Sequence, residues 1–168
     1  MNTDFTELTV RPIGRVRCNA TEPGQLPIQG RLADPPLAGV VELEPELADA
    51  LDDVGGFEFV WLLWWADRSG DWRTKVVPYV DARQRGLFAT RAPSRPNPIG
   101  LTAVRVLGRD GATLRVEGLD MLDGTPVLDI KPYIPSADAM PDARAGWLSK
   151  KTHAGRRGDA RFSEEEKP

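Results

Sequence analysis

The sequence predicts a mainly β domain, a single-domain barrel with one or two short helices. Three observations carry that expectation. The 168 residues include 16 glycines and 15 prolines, scattered between short apolar segments in the manner of turns between strands. Apolar residues make up 40% of the chain and charged residues 28%, a globular balance with enough length for one core. The longest apolar run, Phe59 to Ala66, suits a buried strand and falls far short of the ~18 residues that cross a membrane.

Each element follows in turn. Residues 8–17 read as a first strand, with Pro12 at an edge or bulge. Residues 18–39, rich in proline and glycine, read as a long loop, and Val40 to Leu43 resume extended chain. Pro45 opens a short helix with Leu47, Ala50, Leu51 and Val54 on one face, stopped by Gly55-Gly56. Phe57 to Ala66 is apolar on both faces and reads as a central strand. Lys75 to Val80 and Gly86 to Thr90 are further strand candidates. Ile99 to Leu107 and Ala112 to Glu117 flank a tight turn at 108–111. Asp123-Gly124 marks another turn before a last strand, Val127 to Tyr133, and Pro141 opens a short helix through Leu148. The domain is expected over 1–148, followed by a charged, solvated tail over 149–168.

Counting chemistry removes several function classes. One cysteine, Cys18, excludes a disulfide within the chain and a multi-thiolate zinc site. One histidine, His153, excludes a metal site of several imidazoles, and a Ser-His-Asp triad would need that tail residue folded back onto the body. No metal is expected. No G-x-G-x-x-G or G-x-x-x-x-G-K-[ST] motif supports a Rossmann or P-loop reading. The net charge of −3 advertises no overall basic field, although a local basic patch fits under it. The N-terminus carries no cationic-then-apolar leader, so a cytoplasmic protein with no membrane partner is expected.

Two segments stand out chemically. In TRAPSRPNPIGL (90–101), prolines 93, 96 and 98 stiffen a loop that displays Arg91, Ser94, Arg95 and Asn97. Two guanidiniums and an amide suit a carboxylate, a phosphate or an adenine edge; a stiff connector with solvated arginines is the plainer reading. In LDMLDGTPVLDIKPYIP (119–135), Asp120, Asp123 and Asp129 surround a turn and a strand, with Lys131 and Tyr133 beyond. Asp129, Lys131 and Tyr133 alternate on one strand face. A hairpin turn with a surface Asp129–Lys131 pair is the plainer reading there. The tryptophans at 61, 64, 65 and 72 suit core packing or a dimer seam more than base stacking. Cys18 reads as a small buried or half-buried hydrophobe, and the basic run of Lys150, Lys151, Arg156, Arg157 and Arg161 as solvated tail.

Four blocks together resemble one known family. They are PIGRV (12–16), FVWLLWWADRS (59–69), FATRAPSRPNPIGL (88–101) and LDMLDGTPVLDIKPYIP (119–135). The chain resembles the TsaA-like (TrmO) family over residues 8–148. That resemblance implies a β-barrel that binds S-adenosyl-L-methionine without a Rossmann fold, usually as a homodimer. It implies a tRNA methyltransferase acting on N6 of threonylcarbamoyladenosine beside the anticodon. A methyltransferase on a small molecule and a non-catalytic S-adenosylmethionine-binding module are the alternatives.

The resemblance also implies site residues. Cofactor contacts are expected from Pro27, Ile28 and Gln29 and from Asp67 and Arg68. Arg91, Arg95, Asn97 and Leu101 follow on the proline-rich loop, then Asp120, Met121, Leu122, Asp123, Gly124 and Thr125 at the turn. Asp129, Lys131 and Tyr133 are the candidates for orienting or deprotonating the target nitrogen. The chain departs from many members at Ile28, where they carry arginine, and at Ala66-Asp67-Arg68, where they carry a histidine. Longer bacterial members carry a C-terminal domain beyond the length of this chain.

Overall fold

Alternating small apolar side chains give the strands their inward face. Val16, Val41, Val60, Leu62, Val104, Leu114, Val116 and Val127 all lie fully buried on successive strands. The computed structural model describes residues 7–151 and 155–163. The strands are β1 (Gly14–Arg17), β2 (Ala38–Leu43), β3 (Phe59–Trp65), β4 (Lys75–Val76), β5 (Arg85–Gly86), β6 (Ile99–Asp110), β7 (Thr113–Glu117) and β8 (Pro126–Pro132). One four-residue helix, α1 (Pro135–Asp138), follows them.

Six strands close into an antiparallel barrel in the order β1-β2-β7-β6-β3-β8, as the sequence leads one to expect. Closure pairs every strand on both sides, which removes the exposed edges an open sheet would leave. β3 pairs β6 along its whole length and β8 on the other side, with a register shift between Leu63 and Trp64. Trp64, two positions on from buried Leu62, packs on the barrel core beside its β6 partner Gly100. A Cβ at position 100 would collide with the Trp64 ring, so only glycine lets the indole lie flat on β6.

A smaller sheet, β4 with β5, builds a satellite core of Val76, Leu87 and Ala92, with Phe162 packed on it. This satellite pins the proline-rich loop at one end of the barrel. Residues 155–163 return to the same end, through bridges of Arg157 to Pro27 and of Ser163 to Ser69. The solvated tail expected from composition is therefore, over these residues, a strap held by Phe162 and Tyr79 packing edge to face. The Arg161 guanidinium lies 5.0 Å over the Tyr79 ring. Packing one half-buried aromatic outweighs a charged composition. His153 lies outside the described residues.

Other local expectations shift for identifiable reasons. The first strand starts at Gly14, because Pro12 has no N–H; the Ile13 amide makes the first bond, to the Val127 carbonyl. The helix from Pro45 is two 3-10 turns, Pro45–Leu51 and Val54–Gly56, separated where Asp53 takes a left-handed φ of 62°. The strand expected over 86–90 ends at Gly86, since Leu87–Ala89 coil into a turn closed by Thr90 Oγ1 donating to the Leu87 carbonyl at 2.7 Å. The helix expected from Pro141 shrinks to Gly146–Leu148, and α1 forms earlier, where the Asp138 carboxylate accepts from the Ile134 amide and the Trp61 indole.

Candidate functional site

The loops at one end of the barrel enclose a cavity of about 360 Å³. Four wall segments come from the barrel and its loops. Leu26, Pro27, Ile28 and Gln29 form one wall, and Trp64, Ala66, Asp67 and Arg68 at the end of β3 form another. The proline-rich loop contributes Thr90, Arg91, Pro93 and Arg95, and the start of β6 continues it through Leu101 and Thr102. Asp120, Met121, Leu122 and Thr125 close the floor. The strap completes the enclosure with Gly158, Asp159, Phe162 and Ser163. The volume falls within the ~300–1,000 Å³ range of small-molecule sites, and the lining is mostly apolar with a few polar groups.

Those polar groups are fixed by their neighbours. Arg91 Nη1 donates to Gln29 Oε1 at 2.7 Å, joining two loops across the cavity. Arg68 Nη2 donates to the Asp123 carbonyl at 2.8 Å and to Thr125 Oγ1 at 3.0 Å, and its Nε lies 3.4 Å from Asp67 Oδ1. It thereby ties the end of β3 to the turn before β8. Arg95 folds back on its own loop, donating to the Thr90 carbonyl at 3.1 Å with its guanidinium over Phe88. Ser94, expected on display, is buried, and its hydroxyl donates to the Phe162 carbonyl at 3.0 Å.

Asp120 is the ionisable group at the floor. Thr102 Oγ1 donates to its Oδ1 at 2.5 Å, and the Gly30 amide donates to its Oδ2 at 3.3 Å. Burial pushes the carboxyl up from 3.8 to about 6, while the Thr102 hydroxyl, the Gly30 amide and the Arg91 charge pull the other way. Gly30 can come this close because it has no side chain; a Cβ there would overlap the Gly118 carbonyl.

Most of the sequence-derived cofactor set meets here. Pro27, Ile28, Gln29, Asp67, Arg68, Arg91, Arg95, Leu101, Asp120, Met121, Leu122 and Thr125 all line the cavity. Asn97, Asp123 and Gly124 do not. Asp123 shapes its turn, its carboxylate accepting from the Cys18 amide at 3.0 Å, and Gly124 takes a positive φ of 78°. Asp129, Lys131 and Tyr133 also lie outside the cavity. Lys131 Nζ pairs with Asp129 Oδ2 at 2.8 Å on the surface, and the Tyr133 ring packs on Phe59 and Trp61.

The sequence reading missed Trp64 and Thr102 as site residues, and the strap altogether. Thr102 left a signal: it is the polar residue at an inward position of β6, two residues before fully buried Val104. The strap left none, because its place depends on contacts with Tyr79 and Ser94 far away in sequence.

Comparison with known proteins places this architecture. Residues 15–139 match the model of the tRNA-methyltransferase O N-terminal domain. The chain belongs to that family.

A Pyrococcus abyssi relative named "Probable S-adenosyl-L-methionine-binding protein" is 43% identical over 85% of this chain and 77% of its own length. The tRNA (adenine(37)-N6)-methyltransferase of Escherichia coli is 42% identical over 60% of this chain. A crystal structure of TrmO superposes with a TM-score of 0.72 at 42% identity, over 84% of this chain. The chain spans 46% of the E. coli enzyme and 64% of that solved TrmO chain. Among the described residues, no three His, Cys, Asp or Glu side chains gather as a metal site, and no helix is long and apolar enough to cross a membrane.

Proposed function

We propose that this tRNA-methyltransferase O family domain binds S-adenosyl-L-methionine in the barrel-end cavity and transfers its methyl group to N6 of an adenosine in tRNA. The observation that carries the reading is the cavity itself: an apolar enclosure with a carboxylate on the floor and a guanidinium at the wall. The ligand is zwitterionic with a sulfonium, so it needs an anionic group, a cationic group and apolar surface together. Asp120, Arg91 and the Ile28–Trp64–Leu101 lining supply those three. S-adenosyl-L-methionine would supply an electrophilic methyl carbon, and no metal is required for that chemistry.

The roles divide by place. Arg91, oriented by Gln29, meets the carboxylate of the ligand. Arg68 holds the Asp123–Thr125 turn in the shape that backs the pocket. Asp120 neutralises positive charge. Holding donor and acceptor in line is the main contribution of such a site, about 7–11 kcal/mol of the barrier at best. Asp129, Lys131 and Tyr133, on the outer wall beside Trp61, are assigned to the tRNA rather than to the ligand.

Threonylcarbamoyladenosine is the substrate that the family resemblance favours. The domain would then work in the cytoplasm, as a pair of identical copies. Sedimentation velocity reads that pairing directly. Labelled methyl transfer from S-adenosyl-L-methionine into tRNA tests the reaction. Incorporation abolished by Asp120→Ala supports it, and ligand binding without incorporation overturns the transferase in favour of a binding module.

A further inference from the structure

The inward polar group on β6 has a partner on each side. The Trp64 indole Nε1 donates to Thr102 Oγ1 at 3.0 Å, and Thr102 Oγ1 lies 2.5 Å from Asp120 Oδ1. An indole N–H only donates, and a hydroxyl has one proton to give. With Asp120 ionised, and so only accepting, the direction of the chain is fixed: Trp64 gives to Thr102, and Thr102 gives to Asp120. Gly100 provides the bed for the indole, and the unbroken pairing of Trp64 with Gly100, on the same inward face as Val60 and Leu62, aims it. Three residues on β3, β6 and the loop before β8 thus form one oriented line ending at the cavity floor.

We propose that Thr102, itself oriented by the Trp64 indole, is the positioning residue that holds Asp120 ionised and turned to meet the positively charged part of the ligand. The proposal rests on the functional reading above and adds to it two residues that touch the carboxylate side of the site. Donation from Trp64 polarises the Thr102 hydroxyl and strengthens the bond it gives to a carboxylate. The bond from Thr102 is stronger to an ionised Oδ1 than to the carbonyl oxygen of a protonated Asp120, so it favours the ionised form. Asp120 Oδ2, with only the Gly30 amide at 3.3 Å, keeps lone pairs for the ligand. Around Asp120, the charged group that faces it is Arg91, from the proline-rich loop; the other neighbours are the Thr102 hydroxyl and the Gly30 amide.

Two measurements test this, one of them without ligand. In the free protein the indole N–H resonance of Trp64, identified by its loss in Trp64→Phe, should titrate with a midpoint near 6, because Asp120 is held at about 6. Thr102→Ser keeps the hydroxyl and should keep the midpoint within about 0.3 pH units, while Thr102→Val should remove the titration from the indole. An indole that does not titrate in the wild type, or one that titrates unchanged in Thr102→Val, overturns the proposal.

The second measurement is calorimetric binding of S-adenosyl-L-methionine across about pH 5 to 8, around the Asp120 midpoint. Affinity should weaken as pH falls through that midpoint. Thr102→Val should move the midpoint up by about one unit, with Thr102→Ser restoring it. A merely structural role for Thr102 would weaken binding equally at every pH, and that result overturns the proposal. A titrating indole with no ligand binding at any pH overturns the functional reading and the ligand half of the proposal, while leaving the oriented line standing.

Discussion

Arg91 and Gln29, 62 positions apart in the chain, meet across the cavity with Nη1 2.7 Å from Oε1. The contact joins the proline-rich loop to the early loop, and it aims a guanidinium that is otherwise exposed. A charged hydrogen bond of this kind contributes about 1.5–3 kcal/mol, so Arg91→Ala should weaken S-adenosyl-L-methionine binding by roughly 10- to 100-fold. The melting temperature should hardly move, because the side chain carries no core. Calorimetry with the purified variant reads both the affinity and the fold; an unchanged affinity would remove Arg91 from the site.

Gly100→Ala attacks the site from behind. The added methyl would occupy the space of the Trp64 ring. Overpacking of this sort costs about 1–3 kcal/mol. The displaced indole should also release Thr102, so ligand affinity should fall along with stability. Urea unfolding and ligand titration of one protein sample check both losses, and a variant as stable as the wild type contradicts the packing.

The Asp120 carboxyl makes stability depend on pH in an unusual direction. Its folded value, about 6, lies above the ordinary 3.8, so the folded protein binds the proton more tightly than the unfolded chain. The contribution is fully present below about pH 4 and is lost as pH rises through 6, which amounts to a penalty of about 3 kcal/mol at pH 8. Asp120→Asn should therefore be more stable than the wild type at pH 8, with the difference shrinking toward pH 5. The gain is reduced by the new amide facing the Gly30 N–H. Chemical denaturation at several pH values measures it, and a difference independent of pH would mean that Asp120 is not held by burial.

Lys131 separates the outer wall from the cavity. Its side chain is 63% exposed and, among the described residues, pairs with Asp129. Exposed pairs contribute about 0–1 kcal/mol, so Lys131→Ala should leave stability and ligand affinity nearly unchanged. If this face meets RNA, tRNA binding should weaken and the slope of log affinity against log salt should flatten by about 0.9 for one lost phosphate contact. A variant with the wild-type salt slope would place the RNA elsewhere.

The strands are legible from the sequence for physical reasons, and most cavity residues through the family resemblance. Alternation at Val60–Leu62 and Leu114–Val116 marks inward faces directly, and the three prolines of 93–98 mark a stiff loop wherever it docks. What the sequence conceals is which residues strand pairing brings together. Trp64, Thr102 and Asp120 meet only because β3 pairs β6 in one register and the loop before β8 follows beneath them. Phe162 sits in a segment whose composition reads as solvated, and its burial depends on Tyr79 and the satellite core. The Asp129-Lys131-Tyr133 pattern shows the opposite hazard. Alternation placed the three on one strand face, yet the face is the outer one, where Lys131 pairs with Asp129.

The most direct test of the whole account is nucleoside mass spectrometry after reaction. The protein would be incubated with isotopically labelled S-adenosyl-L-methionine and threonylcarbamoyl-modified tRNA, then the tRNA digested. The expected product is threonylcarbamoyladenosine carrying one labelled methyl on N6, lost in Asp120→Ala and reduced in Arg91→Ala. Bound ligand with no labelled nucleoside would contradict the account and leave the barrel as a binding module.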